Sequence, residues 1–344
     1  TFYNMGKWSN SGPSYFDSWY ETDKFKAHGL NESQKLHNPN HYIQHFRDIL
    51  KIEKHRDKIK LDTFLTENFV KLKIIDSAFG HCKYSNNPLP ITSISKHVEW
   101  DRNVTDSEDV VFYTDKDIQK VNVTGHKKRI AWLIEPYIKQ PRQYEWISKN
   151  NNLFDYVLVN EGSLLDRGEN FIYYPFGGCW IEPENRKFHN KTKKLSIICS
   201  AKKSVPDHYK RHELIEANSD KIDVLGRGYK RIASITDGLK DYYFHIAMEN
   251  QRRDLHFSEK LINPIMTGTI PIYWGMPSIG DYFDLRGIIV MNDIEQFNDI
   301  YSTLNEALYN KMLPYAKENF NLAKQYILSE DWMYENIFKS MEIL

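Results

Sequence analysis

The chain has 344 residues, a length that ordinary domain sizes divide into about two domains with room for sizeable cores. Its 46 Lys and Arg balance 46 Asp and Glu, and the pI is near 7.2, so the chain lacks the overall positive field that non-specific nucleic-acid binding needs. With 41% hydrophobic and 14% aromatic residues it is not a disordered chain, and its longest apolar runs, Ile130 to Ile134 and Ile288 to Met291, fall far short of the roughly 20 residues that span a bilayer.

In chain order, residues 1–68 form an N-terminal extension. Thr1 to Asn40 is rich in Gly, Ser, Asn and aromatics without a period of two or 3.6, as expected of an extended segment lying on something else. Pro39 then starts a helix with Ile43, Phe46 and Leu50 on one face. His41 and His45 lie four apart on it, but no third ligand follows at motif distance, so a solvated or aromatic-packed pair is expected and no metal site. Cys82, Cys179 and Cys199 are too few and too far apart for a disulfide framework or a thiolate site, and read as buried free thiols.

Residues 69–188 carry short apolar strands at Val70 to Ile75, Val110 to Tyr113, Arg129 to Ile134, Tyr156 to Val159 and Phe171 to Tyr174. That spacing predicts a parallel α/β sheet. The clustered cations Arg186, Lys187, Lys191, Lys193 and Lys194 read as a solvated linker between domains. Residues 189–328 repeat the α/β texture, with strands at Leu195 to Cys199, Ile222 to Leu225, Tyr243 to Ala247, Ile270 to Trp274 and Ile288 to Val290. Helices are predicted at His208 to Ala217, Ser258 to Met266, Ile294 to Leu308 and Met312 to Ile327, and residues 329–344 form a C-terminal helix over Asp331 to Met341. The fold class is thus α/β, with two Rossmann-like domains facing across a cleft. In such sheets ligands bind beyond the carboxyl ends of the strands.

The densest signal lies in Asp241 to Phe283. A strand ends in Met248-Glu249-Asn250, a polar loop follows, and Ser258 caps a helix whose first turn holds Glu259 and Lys260. A helix start of this kind aims backbone N–H groups and a positive dipole end at an anion, and Lys260 adds a charge, as a diphosphate site requires. An isolated Glu-Lys pair on a solvated helix has the same appearance. Pro264 removes one hydrogen bond from this helix, implying a kink or a later start.

Met248-Glu249-Asn250, Ser258-Glu259-Lys260 and Pro271-Ile272-Tyr273-Trp274-Gly275 together resemble, in order and spacing, the donor-binding signature of the α1,3/α1,4-fucosyltransferases, glycosyltransferase family 10. Met248 stands for the family's Phe and Ser258 for its Thr. Upstream, Leu195 to Ser200, Arg211 and Ile222 to Arg227 resemble further blocks of that family, and RIAWLIEP at Arg129 to Pro136 with Asn152 to Tyr156 resembles its N-terminal half more loosely. The resemblance covers about residues 125–290 and leaves 1–68 unmatched.

The resemblance implies a GT-B fold and inverting transfer of fucose from GDP-fucose to a hydroxyl of a glycan acceptor, with the nucleotide sugar as donor substrate and no obligatory cofactor or metal. It makes Glu135 the general base, and Lys260 and Arg211 the cations that stabilise the departing diphosphate. Glu249, Asn250, Glu259, Arg227 and His256 join Lys260 and Arg211 as donor contacts. Alternatives stand beside these roles. Glu135 reads equally as a solvated strand-end carboxylate, with Glu145 and Glu161 in reserve; Arg211 reads as a surface helix charge, with Lys210 or Arg227 in its place. Tyr273 and Trp274 read as packing residues before sugar platforms. At the level of the whole chain, a relative using another nucleotide sugar such as GDP-mannose, or a glycan-binding protein with a decayed site, are the competing readings. The expected location is the cytoplasm, or the Golgi lumen if an anchor precedes Thr1.

Overall fold

The computed structural model describes residues 70–77 and 94–339. The expected helix at Pro39, the His41/His45 pair and Cys82 lie outside the described residues.

Two parallel sheets organise the chain. The first has six strands in the order β2-β1-β3-β4-β5-β6: β1 Val70–Ile75, β2 Val98–Asp101, β3 Val110–Thr114, β4 Lys128–Trp132, β5 Tyr156–Val159 and β6 Phe171–Tyr173. Because side chains alternate across a strand, Ile130 and Trp132 share one face with Leu72, Ile74, Trp100, Phe112 and Leu158. Ala131 and, just beyond the strand, Leu133 join Val111, Tyr113, Val157 and Val159 on the other. Helix α1, Pro141–Asn150, covers the second face with Tyr144 and Ile147. The sequence reading missed α1 and the edge strand β2, since each offers only two or three apolar positions among charged ones.

The second sheet has the order β11-β10-β9-β7-β8, with β7 Lys193–Ile198, β8 Asp223–Leu225, β9 Tyr242–Met248, β10 Ile270–Trp274 and β11 Ile289–Val290. Helices α2, Pro206–Ala217, and α3, Glu259–Met266, follow β7 and β9. The expected helix over Ile294 to Leu308 is instead broken: α4, Phe297–Thr303, stops at an extended Leu304. Asn305 then caps α5, Glu306–Ala323, its side chain accepting from Leu308 N at 2.8 Å. A strong capping residue starts a new helix where hydrophobic periodicity alone predicts continuation. Phe244, Ile246 and Met248 of β9 form the centre of this core, with Leu214 and Ile215 of α2 and Tyr309 and Met312 of α5.

Two compact units result. One comprises Cys179–Arg253 and Phe257–Ile327; the other holds the described residues up to Gly178, together with Asp254–His256 and the segment from Leu328 onward. Two Rossmann-like α/β units are the composition of the GT-B fold. The terminal segment, α6 at Ser329–Met333 followed by π-helical turns over Tyr334–Phe338, places Met333, Ile337 and Phe338 on the first sheet.

The lysine-rich stretch lies inside the second unit and does not link the two, and although Lys187, Lys193 and Lys194 are exposed as their charges imply, Lys191 is not. Lys191 is buried, and its ammonium donates to Lys240 O at 3.0 Å, Thr267 O at 2.9 Å and Thr269 Oγ1 at 2.8 Å. All three donors of the group are used, which is what allows a lysine to be buried at all. Thr267 ends α3, so Lys191 clamps the far end of the helix whose start carries Lys260. Lys191→Met leaves those oxygens without a donor and is expected to cost about 3 kcal/mol, a drop in Tm of roughly 6–12 °C, measured by differential scanning calorimetry.

Candidate active site

Glu249 is the first residue beyond β9 and is almost fully buried. Its backbone N–H still donates to Trp274 O at 2.9 Å, which keeps it in line with the sheet. Its carboxylate turns to the start of α3, where Oε1 accepts from Ser258 N at 2.8 Å and Oε2 from Ser258 Oγ at 2.6 Å. Room for it comes from Gly275, where a Cβ would stand 2.7 Å from Glu249 Cγ; the Trp-Gly ending of β10 is a packing requirement. Burial pushes the Glu249 carboxyl above its ordinary range, and Lys260 and the two Ser258 bonds counteract this in part.

Ser258 has extended backbone angles and caps α3, its side chain accepting from Lys260 N. Helix α3 starts at Glu259, so Pro264 neither delays the start nor ends the helix at once. It frees the Lys260 carbonyl from its usual partner four residues on, and its own carbonyl accepts from both Thr267 N and Thr269 N as the helix stops. Lys260 Nζ lies 2.7 Å from Glu259 Oε1 and 3.9 Å from Glu249 Oε2. Burial lowers its pKa, but the two carboxylates outweigh that and hold it above the ordinary value, so Lys260 is a fixed cation at a helix N-terminus.

Arg211 is buried on α2, which removes the surface-charge alternative. Its Nη2 donates to Glu249 O at 3.4 Å and to Asn250 Oδ1 at 3.2 Å. Asn250 Oδ1 also faces His208 Nε2 at 3.1 Å. Since Ser204 N donates to His208 Nδ1, the proton sits on Nε2 and points at Asn250. His208 escaped the sequence reading, although it stands three residues before Arg211 and therefore on the same helical face. Glu249, Asn250, Ser258, Glu259, Lys260 and Arg211 thus form one connected cluster at the carboxyl end of β9.

The other predicted residues are placed by different contacts. Arg227 sits in the turn after β8 between Gly226 and Gly228, which have φ of 108° and 89°; its carbonyl accepts from Ala201 N at 2.9 Å. Lys210 Nζ stands 5.5 Å from the Trp274 ring, and Tyr273 and Trp274 are buried packing residues. His256 belongs with the first unit, its ring 5.5 Å from that of Phe176.

Glu135 is in the first unit, three residues past the end of β4. Its side chain is 12% exposed and its Oε2 lies 2.8 Å from Lys139 Nζ. The backbone N–H groups of Ile134 and Glu135 donate to Oδ1 of Asp115 at 2.9 and 3.3 Å. Asp115 is a buried carboxyl that no sequence motif announced. Of the reserve candidates, Glu145 is exposed on α1, and Glu161 follows β5 and accepts from Ser163 Oγ at 3.3 Å. Among the described residues no group of three or more His, Cys, Asp or Glu is placed to hold a metal ion, and no helix is long and apolar enough to cross a membrane.

The sequence profile of glycosyltransferase family 10 (fucosyltransferase) C-term matches residues 188–337, which contain the whole cluster around Glu249. Over these residues the chain is similar to this family. Among curated members, α-(1,3)-fucosyltransferase B of Drosophila melanogaster is 30% identical over 100 residues, 29% of this chain and 22% of that protein. The α-(1,3)-fucosyltransferase FucT of Helicobacter pylori is 33% identical over 61 residues, 18% of this chain and 13% of that protein. The matched segment therefore spans under a quarter of the length of these curated relatives. Among solved structures, an α1,3-fucosyltransferase with GDP aligns over 76% of this chain and 91% of its own at 16% identity and a TM-score of 0.47. HepE of Anabaena, with UDP and glucose, aligns over 69% and 78% at 11% identity and a TM-score of 0.49.

The family's Thr is Ser258 in this chain, and the capping geometry gives the reason the exchange is tolerated: only the hydroxyl is used. Ser258→Ala removes the cap and one partner of a buried carboxylate, and is expected to destabilise the chain by about 1–2 kcal/mol. Ser258→Thr keeps the hydroxyl and is expected to stay within a few tenths of a kcal/mol of the parent. Urea denaturation of both variants checks the pair.

Proposed function

We propose that the chain transfers fucose from GDP-fucose to a hydroxyl of a glycan acceptor, with inversion at the anomeric carbon. The observation that carries the reading is the pairing of Lys260, at the capped start of α3, with Arg211, buried on α2, about one strand end. Two fixed cations and a helix N-terminus in one place suit a nucleoside diphosphate. The similarity of residues 188–337 to the fucosyltransferase family supports the sugar, and the resemblance of Glu249 to Gly275 to the family's donor block supports the guanine nucleotide.

In this mechanism Lys260 and Arg211 stabilise the charge that grows on the diphosphate as the glycosidic bond breaks. Asn250 and Glu259 hold the ribose or the nucleotide. Glu135 takes the proton of the acceptor hydroxyl as its oxygen attacks the anomeric carbon from the opposite side. Fixed cations supply what a metal supplies in other nucleotide-sugar enzymes, so the reading includes no obligatory cofactor. Glu135 and the diphosphate cations lie on different units, so the reading separates base from donor site.

Lys260→Ala is expected to lower turnover about 10²- to 10³-fold, as loss of one preorganised electrostatic group does, with the fold intact by circular dichroism. GDP is expected to raise the Tm more than UDP, and an equal or reversed order in a thermal-shift series removes the guanine assignment. The third expectation separates the units. Glu135→Gln should lose about 10²- to 10⁴-fold in transfer with GDP affinity unchanged by isothermal titration, whereas Arg211→Ala should weaken GDP binding itself. Full transfer by Glu135→Gln moves the base to Glu145 or Glu161.

A further inference from the structure

Beyond Trp132, β4 runs out into Leu133, Ile134 and Glu135, and side chains from four separate places hold the backbone of these three residues. Asp115, directly after β3, accepts with Oδ1 from Ile134 N and Glu135 N at 2.9 and 3.3 Å. Tyr144 of α1 donates its hydroxyl to Glu135 O at 3.0 Å. Asn160, directly after β5, donates Nδ2 to Leu133 O at 3.3 Å and Ile134 O at 3.2 Å. Tyr174, directly after β6, donates to Leu133 O at 2.9 Å. Asp115, Tyr144, Asn160 and Tyr174 are all buried, where each polar group costs free energy unless bonded.

Asp115 is the most demanding member of the set. It has a φ of 41°, the left-handed region that Asp tolerates at a cost of about 1 kcal/mol or more. Its Oδ2 is buried with no hydrogen-bond partner among the described residues. The carboxyl faces Glu135, which is paired with Lys139, and Asp76, which is paired with Arg102 at 3.0 Å. Burial, with those two carboxylates beside it, pushes its pKa well above the usual range. A strained, buried acid held under a strand end contributes nothing to core packing that an apolar residue would not do better. Its one observed task is to fix the two amides at which Glu135 is attached.

We propose that Asp115 is a positioning residue for the reaction: by clamping the Ile134 and Glu135 amides, with Tyr144, Asn160 and Tyr174 holding the neighbouring carbonyls, it fixes where the Glu135 carboxylate stands. This inference rests on the reading of Glu135 as the base. A base acts only within hydrogen-bond reach of the proton it removes, and a displacement of about 1 Å costs on the order of 10²-fold in rate. An end of strand with free carbonyls and amides would wander by more than that, and the four buried side chains prevent it.

The test compares Asp115→Ala and Asp115→Asn with the parent chain in two assays. One is amide hydrogen exchange of the peptide around Leu133 to Glu135. The other is GDP release from GDP-fucose with water as the acceptor, together with GDP affinity by titration. Asp115→Ala is expected to exchange the two amides at least tenfold faster and to lose about 10- to 100-fold in kcat, with KM for the donor and GDP affinity unchanged. Asp115→Asn keeps an oxygen acceptor in a residue that tolerates the same φ, and is expected to restore protection and kcat to within about threefold. Wild-type kcat in Asp115→Ala with its amides released overturns the proposal, as does an Asp115→Asn chain that protects the amides yet is as slow as the alanine variant. If Asp115→Ala does not fold, Tyr144→Phe, which frees only the Glu135 carbonyl, is measured in its place with the same expectations for kcat and KM, and a parental kcat there overturns the proposal. Glu135→Gln in the same assay keeps the two readings apart. Full release by Glu135→Gln defeats the base assignment, whereas a slow Glu135→Gln beside a fast Asp115→Ala defeats the positioning role alone.

Discussion

A parallel strand that ends inside a protein leaves amides and carbonyls beyond the reach of the next rung, and these must be satisfied by other means. The cluster at Glu249 and the strand end at Glu135 are both built on that constraint. After β9, the chain keeps one further sheet bond and turns the Glu249 carboxylate onto the cap of α3. After β4, four side chains take over from the ladder. In each place the groups that complete the backbone also hold an acidic residue in position, so the same bonds serve stability and geometry.

The two ends solve the problem with different side chains. The second unit gathers Lys260 and Arg211 around the buried Glu249: Lys260 is paired with Glu259 and Glu249, and Arg211 donates to the uncharged oxygens Glu249 O and Asn250 Oδ1. The first unit gathers Asp115, Asp76 and Glu135; Asp76 is paired with Arg102 and Glu135 with Lys139, and burial pushes the Asp115 carboxyl well above its usual range. The placing of Lys260 and Arg211 is what the proposed diphosphate site draws on, and the hold on Glu135 is what the proposed base draws on.

The strands were legible in the sequence because a sheet covered on both faces demands unbroken apolar runs, and Val110–Thr114, Tyr156–Val159 and Ile270–Trp274 carry them. The donor cluster was legible because its residues are close in sequence, Glu249 to Lys260, and joined by a capping pattern. Elements defined by long-range partners were not legible. Asp115 meets Glu135 twenty residues away through a backbone contact, and an aspartate at the start of a polar stretch looks like any turn residue. Lys191 looked solvated because nothing in a run of cations tells which one finds three oxygens. Leu304 broke a periodic pattern because Asn305 outweighed it locally.

The return of the chain end to the first sheet has a consequence for the order of assembly. Trp100 donates to Glu330 and Ser95 to Asp331, more than two hundred residues later. Met333, Ile337 and Phe338 cover a face that includes Trp132 and Phe112. During synthesis that aromatic face is made early and sheathed late, so the unit begun first is finished last, after the whole second sheet has been translated. The interval in which the first sheet stands half-covered is set by the ribosome, and a chaperone that shields aromatic surface has its greatest effect on this chain before residue 330 leaves the exit tunnel.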